Sequence, residues 1–373
     1  MARYDVAVVG LGAMGSAALH QLARRNVRAL GIDKFAPGHD RGSSHGETRI
    51  IRLGYFEHPS YVPLLRRTYT LWRELEAAAG EQLVHITGIV EIGAPDGELV
   101  TGTLAASGTH GLPHEVLDAA GTMQRFPAFQ VPSHFIGVMQ PDGGFVAVEP
   151  AIAAQVRLAQ AARAEVRTGV TVHSVTPHGD SVRLSTSAGD LEAAKVIVAA
   201  GPWVNALAPH LPVQVTRQVF AWLTPDDPAL FTPERFPVFL LESRHGMHYG
   251  FPQYGRPGVK IAKHHHADET VDPDRVHRGV TADDEALIRA PLAEHMPAAN
   301  GAMLAAKTCL YTVTPDRDFI IDRLPDAPNV IIASPCSGHG FKFAPVIGEI
   351  LAQLAMEGAT EHDISRFRLS RFD

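Results

Sequence analysis

Apolar residues fall into two rhythms along the chain. Short apolar runs bounded by glycine and polar residues, Val6-Ala7-Val8-Val9 near the start and Val196-Ile197-Val198-Ala199-Ala200 midway, carry no internal charge and are rich in β-branched residues. The first reads as a buried parallel strand, and the second as an apolar strand that suits a return to the same domain. Residues 27–32 and 330–333 also read as strands, and further strands are expected at 85–93, 135–139, around 166, at 171–175 and at 182–185. Other segments have helical spacing. Residues 13–24 are alanine-rich with Asn26 as a breaker, and Leu65, Trp72, Leu75 and Ala79 put a core-facing stripe on a helix over 61–79. Helices are also expected over 149–162, 283–295 (peripheral, behind an acidic start) and 344–356. Residues 213–259 alternate in short proline-punctuated pieces, the pattern of antiparallel sheet. Residues 94 onward are more variable, and Pro141-Asp142-Gly143-Gly144 is a turn.

The first strand runs directly into Gly10-Leu11-Gly12-Ala13-Met14-Gly15, a G-x-G-x-x-G followed by a helix and a second strand ending on Asp33. Gly10 permits the tight turn, Gly12 lets backbone approach a pyrophosphate, and Gly15 lets helix and strand pack closely. The phosphates belong at the helix N-terminus, where free N–H groups favour an anion. Asp33 is placed to accept from a ribose hydroxyl. The motif implies an adenine dinucleotide and does not by itself choose between FAD and NAD. The fold class predicted is α/β (α+β overall), a Rossmann-like domain with a second, antiparallel-sheet domain.

Composition narrows the class. The formal net charge of -7 over 373 residues leaves no basic footprint for nucleic acid. The two cysteines, Cys309 and Cys336, exclude a disulfide framework and suit a reducing compartment. No apolar run reaches membrane-spanning length, and the first strand starts within a few residues, so neither a membrane span nor a signal peptide is expected. The expected location is cytoplasmic. His264-His265-His266 does not read as a metal site: neighbours on a strand point to opposite faces, and no ligand-spaced pattern accompanies them. His264 is expected to face a pocket and the other two the surface. No metal is expected.

The loop after Asp33 leads to a specific likeness. Ser43-Ser44-His45-Gly46-Glu47-Thr48-Arg49-Ile50-Ile51-Arg52, Leu71-Trp72-Arg73-Glu74-Leu75, Lys307-Thr308-Cys309-Leu310-Tyr311 and Ser337-Gly338-His339-Gly340-Phe341-Lys342 together resemble the monomeric sarcosine oxidase and N-methyltryptophan oxidase family of FAD-dependent amine oxidases. The likeness runs over nearly the whole chain. Val219-Phe220-Ala221-Trp222 and the ending Phe367-Arg368-Leu369-Ser370-Arg371-Phe372 are similar to the N-methyltryptophan oxidase branch.

The resemblance implies FAD, attached covalently through Cys309, although a lone cysteine is otherwise more often a small buried hydrophobe. Gly10, Gly12, Ala13, Met14, Gly15, Asp33, Lys34, Ser43, Ser44, His45, Arg49, Val172, Ala200, Gly201, Trp203, Gly338, Gly340, Phe341 and Lys342 are expected around it. Lys260 matches the family's oxygen-activating lysine, with Arg49, His45 and Thr48 as further catalytic groups. Arg52 and Lys342 would hold a substrate carboxylate; if residues 48–52 were helical, Arg49 and Arg52 would share a face. Tyr249, Tyr311, His264 and Gly338 would shape the substrate site, while Trp72 reads as packing. One departure stands out: Pro335-Cys336 precedes Ser337 where relatives usually carry glycine and a large apolar residue, so Cys336 falls near the expected ring.

The implied activity is oxidation of a secondary N-methyl amino acid to an imine, which water hydrolyses to formaldehyde and the primary amino acid, with O2 reduced to H2O2. Cyclic imino acids, glycated amino acids, an electron carrier in place of O2, and a non-catalytic dinucleotide-binding protein remain open. The FAD-binding domain is expected to take residues 1–85, 145–215 and 300–373, the substrate domain 86–144 and 216–299, and the family leans monomeric.

Overall fold

The computed structural model describes residues 3–334 and 336–373. β1 (Arg3–Val9) lies between β2 (Ala29–Asp33) and the strand Leu191–Val198 and runs parallel to both, with Val9 opposite Ile32 on one side and Val198 on the other. Neighbouring strands on both flanks leave a crevice beyond the carboxyl ends of β1 and Leu191–Val198, where open α/β sheets bind ligands. Glu165–Thr168 extends the sheet beyond β2. The strands Val172–His178 and Ser181–Thr186 and the hairpin Ile320–Leu324/Ala327–Ser334 extend it on the other side. α1 (Ala13–Ala23) and the helices Val148–Ala161 and Ala344–Met356 cover one face. Helix 344–356 crosses α1 so closely that a side chain at Gly348 would stand 2.6 Å from the Ala17 backbone.

A second, eight-stranded sheet has the order Met303–Val313, Gln214–Leu223, Val259–Lys263, Gly246–Phe251, Val238–Ser243, Ile89–Gly93, Ile136–Gln140, Glu115–Asp118. Every pairing is antiparallel except Val238–Ser243 with Ile89–Gly93. Met303–Val313 falls in the segment expected to belong with the nucleotide domain, and its hydrogen bonds go to Gln214–Leu223. A small third sheet joins Thr48–Ile51, Gly144–Ala147 and Val84–Ile86. Among the described residues no helix is long and apolar enough to cross a membrane.

Several local expectations are corrected. Residues 48–51 are a strand, not a helix, because they pair with Gly144–Ala147. The run 85–93 is two strands in different sheets, broken at Gly88, whose φ is +75°. The variable stretch contains the helix Glu98–His110. Helix Ala282–His295 is not peripheral: a Thr281/Asp284 capping box starts it, and Ile288 and Leu292 are buried in the core behind the second sheet. The strand carrying Lys260 ends at Lys263, so alternation no longer governs the three histidines. His266 is fully buried against Asp284 (2.9 Å) instead of lying at the surface, and His265 is half-buried against His264 and Tyr311.

Candidate active site

Between the two large sheets lies a cavity of about 1910 Å³, its open mouth included. Gly10, Gly12, Ala13, Met14, Asp33, Lys34, Ser43, Ser44, Arg49, Val172, Ala200, Gly201, Trp203, Gly338, Gly340, Phe341 and Lys342 all line it, as do Arg52, Tyr249, Tyr311 and His264. Gly15, His45, Thr48, Lys260 and Cys309 do not; they stand behind the wall.

The glycine turn closes as its sequence requires. Gly10 has φ +91°, and a side chain there would meet the Ala199 carbonyl at 2.4 Å; one at Gly15 would lie 1.7 Å from the Gly10 carbonyl. Gly15 therefore packs helix on strand. Gly12 caps α1 without a side-chain hydrogen bond of its own; Ala13 N donates to Ser44 Oγ at 3.4 Å, and Gly12, Ala13 and Met14 line the cavity at the helix start. Asp33 accepts from Leu11 N at 2.6 Å and Phe35 N at 2.7 Å, which pins its carboxylate at the tip of β2 beside the turn.

Behind the next stretch of wall, Lys260 is buried. Its Nζ donates to Gly46 O (2.6 Å), Thr48 O (2.9 Å) and Thr48 Oγ1 (3.1 Å). Burial and then Arg49 push its pKa well below the ordinary lysine value. Arg49 donates to Ser43 O at 2.8 Å and to Cys309 Sγ at 3.5 Å. His45 is buried with both ring nitrogens unpartnered, and burial followed by Arg49, Lys307, Lys260 and Arg278 drives its pKa to about 2, so the imidazole is neutral. Cys309 is buried in Met303–Val313, on the same side of the strand as Tyr311, two residues on.

Arg52 and Lys342 converge over one ring, lying 4.5 and 5.0 Å from the centroid of Tyr55. Lys342 donates to His339 O at 2.7 Å, and burial followed by Arg52 lowers its pKa to about 7. Trp72, read as packing, is buried, and its Nε1 also holds the Lys342 carbonyl at 3.0 Å. Arg52 is already partnered: it donates to Gly54 O and Glu57 Oε2, both at 2.7 Å, with Glu91 Oε1 at 3.5 Å. Burial pushes Glu57 up, but Arg52, His339 and Lys342 outweigh it and hold it below its ordinary value. Burial wins at Glu91, raised to about 7. Opposite stand Tyr249 and Tyr311, both kept protonated by burial, and His264, whose Nδ1 is 3.4 Å from Tyr311 OH and which burial keeps neutral. Ile50, Phe56, Leu240 and Met247 complete an apolar wall.

Glu57, Glu91, Tyr55 and His339 escaped the sequence reasoning. Glu91 left a signal, a lone acid inside Ile89-Val90-Glu91-Ile92; Glu57, an acid in a polar loop, left none. Cys336 lines the cavity, its thiol pushed up to about 11 by burial; its neighbour Pro335 lies outside the described residues. Among the described residues, Glu349, Glu361 and His362 alone bring metal-type ligand atoms together, and Arg67 and His362 already pair with Glu349.

A family model for FAD dependent oxidoreductases (DAO) matches residues 5–354. The chain belongs to this family. It is 41% identical to monomeric sarcosine oxidase from Bacillus sp. (strain B-0618), over 99% of this chain and 96% of that protein. It is 38% identical to N-methyl-L-tryptophan oxidase from Salmonella agona (strain SL483), over 99% of each. In three dimensions it is similar to NikD, an unusual amino acid oxidase essential for nikkomycin biosynthesis, with a TM-score of 0.87, 29% identity and coverage of 99% of this chain and 98% of that one. Like other members of the family, it is a flavin-dependent oxidoreductase with FAD as cofactor. The cavity fits that group: Gly12 brings no side chain between the helix N-terminus and a pyrophosphate, and the buried Ser43 Oγ has no hydrogen-bond partner within the protein.

Proposed function

We propose that the chain is an FAD-dependent oxidase of secondary N-methyl amino acids, sarcosine or N-methyl-L-tryptophan, using O2. The observation that carries this is the pair of buried cations, Arg52 and Lys342, converging on Tyr55 at a cavity otherwise walled by Tyr249, Tyr311 and His264. The relatives are named for oxidation of sarcosine and N-methyl-L-tryptophan, and both match end to end.

Arg52 and Lys342 take the substrate carboxylate; charge-assisted bonds of this kind are roughly twice as strong as neutral ones and fix orientation. For Arg52 this means exchanging its bond to Glu57 for one to the substrate. The cations and the dry wall favour the neutral amine over the ammonium. His264, held neutral, can accept from the amine N–H, and Tyr249 and Tyr311 pack around it. FAD, held by the Gly10–Gly15 turn, Ser43 and Ser44, would supply a two-electron acceptor for the amine C–H bond and a donor to O2. Lys260 offers a fixed ammonium where negative charge develops on oxygen, and Arg49 adds a second. The imine product is hydrolysed by water to formaldehyde and the primary amino acid.

Cys309, within 3.5 Å of Arg49 and behind the cavity wall, is the proposed covalent attachment point. Residues 1–85, 145–215 and 300–373 are proposed to hold FAD and residues 86–144 and 216–299 the substrate, in a cytoplasmic monomer. Arg52→Ala tests the substrate assignment. It should raise KM for carboxylate-bearing amines at least tenfold, the scale of one charge-assisted bond, and leave simple amines nearly unchanged. Equal loss for both would move the anchor elsewhere.

A further inference from the structure

The turn that supplies the acceptors of Lys260 is itself gripped by a carboxylate that the chemistry above does not use. Glu149 stands in the first turn of the helix Val148–Ala161. Its Oε1 accepts from Gly46 N at 2.7 Å and its Oε2 from Glu47 N at 3.0 Å. The turn needs such a clamp. Gly46 has φ +92°, and a side chain there would meet the Phe220 ring at 2.3 Å; Glu47, with a side chain, sits at φ +71°. A non-glycine residue persists in that left-handed region only when its surroundings hold it.

The same turn presents its outer edge to Lys260. Gly46 O, Thr48 O and Thr48 Oγ1 take the three protons of an ammonium, but all three are neutral acceptors. Countercharge must come from farther away. The groups facing Lys260 are the rings of Phe220, Phe251 and Trp222, the cation Arg49, the neutral His45, Cys309, and the carboxylates Glu47 and Glu149. Glu47 is committed to an ion pair with Arg256, which lies over Trp222. Glu149 forms no ion pair among the described residues, so its charge is left to the Lys260–Arg49 pair, each of which it stabilises as a cation.

We propose that Glu149 is a positioning residue for the oxygen-reacting half of the reaction: it clamps the 46–48 turn that presents acceptors to Lys260, and its negative charge keeps Lys260 protonated beside Arg49. This rests on the assignment of Lys260 above. A buried lysine next to an arginine is disfavoured as a cation twice, by desolvation and by like charge, and a carboxylate without an ion pair, bound to the same turn, opposes both.

The test follows the lysine directly. In the resting flavoprotein labelled with 13Cε-lysine, the Lys260 signal is identified among the six lysines by its loss in Lys260→Met. In Glu149→Gln its titration midpoint should fall by about one pH unit or more. The alkaline limb of flavin reoxidation should fall with it, while anaerobic reduction by substrate keeps its rate. Glu149→Asp retracts the carboxylate by one methylene and should show the same shifts in smaller measure if the glutamine variant does not fold. An unmoved midpoint in whichever variant folds, with both half-reactions slowed alike, overturns the proposal and leaves Glu149 a purely structural clamp. Lys260→Met separates two failures. If it leaves reoxidation untouched, the assignment of Lys260 falls and this proposal with it; if it slows reoxidation while the midpoint stays put in the Glu149 variants, this proposal alone falls.

Discussion

Arg52 has one buried acid, Glu91, and one half-buried acid, Glu57, for company, and they decide what binding must do. Stripping a buried charge of its partner costs about 3–5 kcal/mol, so a substrate carboxylate must replace Glu57 rather than merely approach Arg52. Lys342 makes the anchor pH-dependent. Its folded pKa of about 7 lies below the ordinary 10.5, so the ammonium is present below about pH 7 and lost above it. Between those two values the unfolded chain binds the extra proton, so this residue makes stability rise with pH across that window. Binding of a carboxylate lacking an amine, read from the flavin spectrum, should weaken as pH rises through about 7, and Lys342→Met should flatten that limb. At Cys309, the serine variant should release all its flavin on acid denaturation where the natural protein retains it; complete release from the natural protein would remove the covalent link. Positions were legible where a motif fixed the local fold, as at Gly10 and Asp33. Glu57 was not, because nothing local distinguishes an acid that will fold onto a buried arginine from a solvated one.

Elements were legible where period and punctuation agreed. The helix over 61–79 appears as Val62–Ala79, and the β1–α1–β2 unit closes around its glycines. Gly15→Ala would drive a methyl into the Gly10 carbonyl, so the variant should purify without flavin or fail to fold; a yellow, stable variant would contradict the packing described. Legibility failed where tertiary pairing overrides local pattern. Thr48–Ile51 has no alternation of its own and becomes a strand by pairing with Gly144–Ala147. As a result Arg49 and Arg52 do not share a helical face: Arg49 turns toward Cys309, and Arg52, just past the strand end, toward Glu57. The three histidines failed for the converse reason, since the strand that would have alternated them stops at Lys263.

At the scale of the molecule, two sheets with separate cores enclose one cavity, the first supplying the dinucleotide turn and the second Tyr249 and Tyr311, with Lys260 and Cys309 behind the wall. The antiparallel strands of the second sheet within 213–259 were legible in its short proline-punctuated pieces. Which strand pairs with which was not: Val238–Ser243 runs parallel to Ile89–Gly93 across a long separation in sequence that no local pattern records. The decisive measurement is anaerobic bleaching of the bound flavin by sarcosine and by N-methyl-L-tryptophan, side by side. Rapid bleaching by at least one, abolished in its dependence on the carboxylate by Arg52→Ala, is the expected result. A flavin that neither amine reduces would contradict oxidation of N-methyl amino acids at this site.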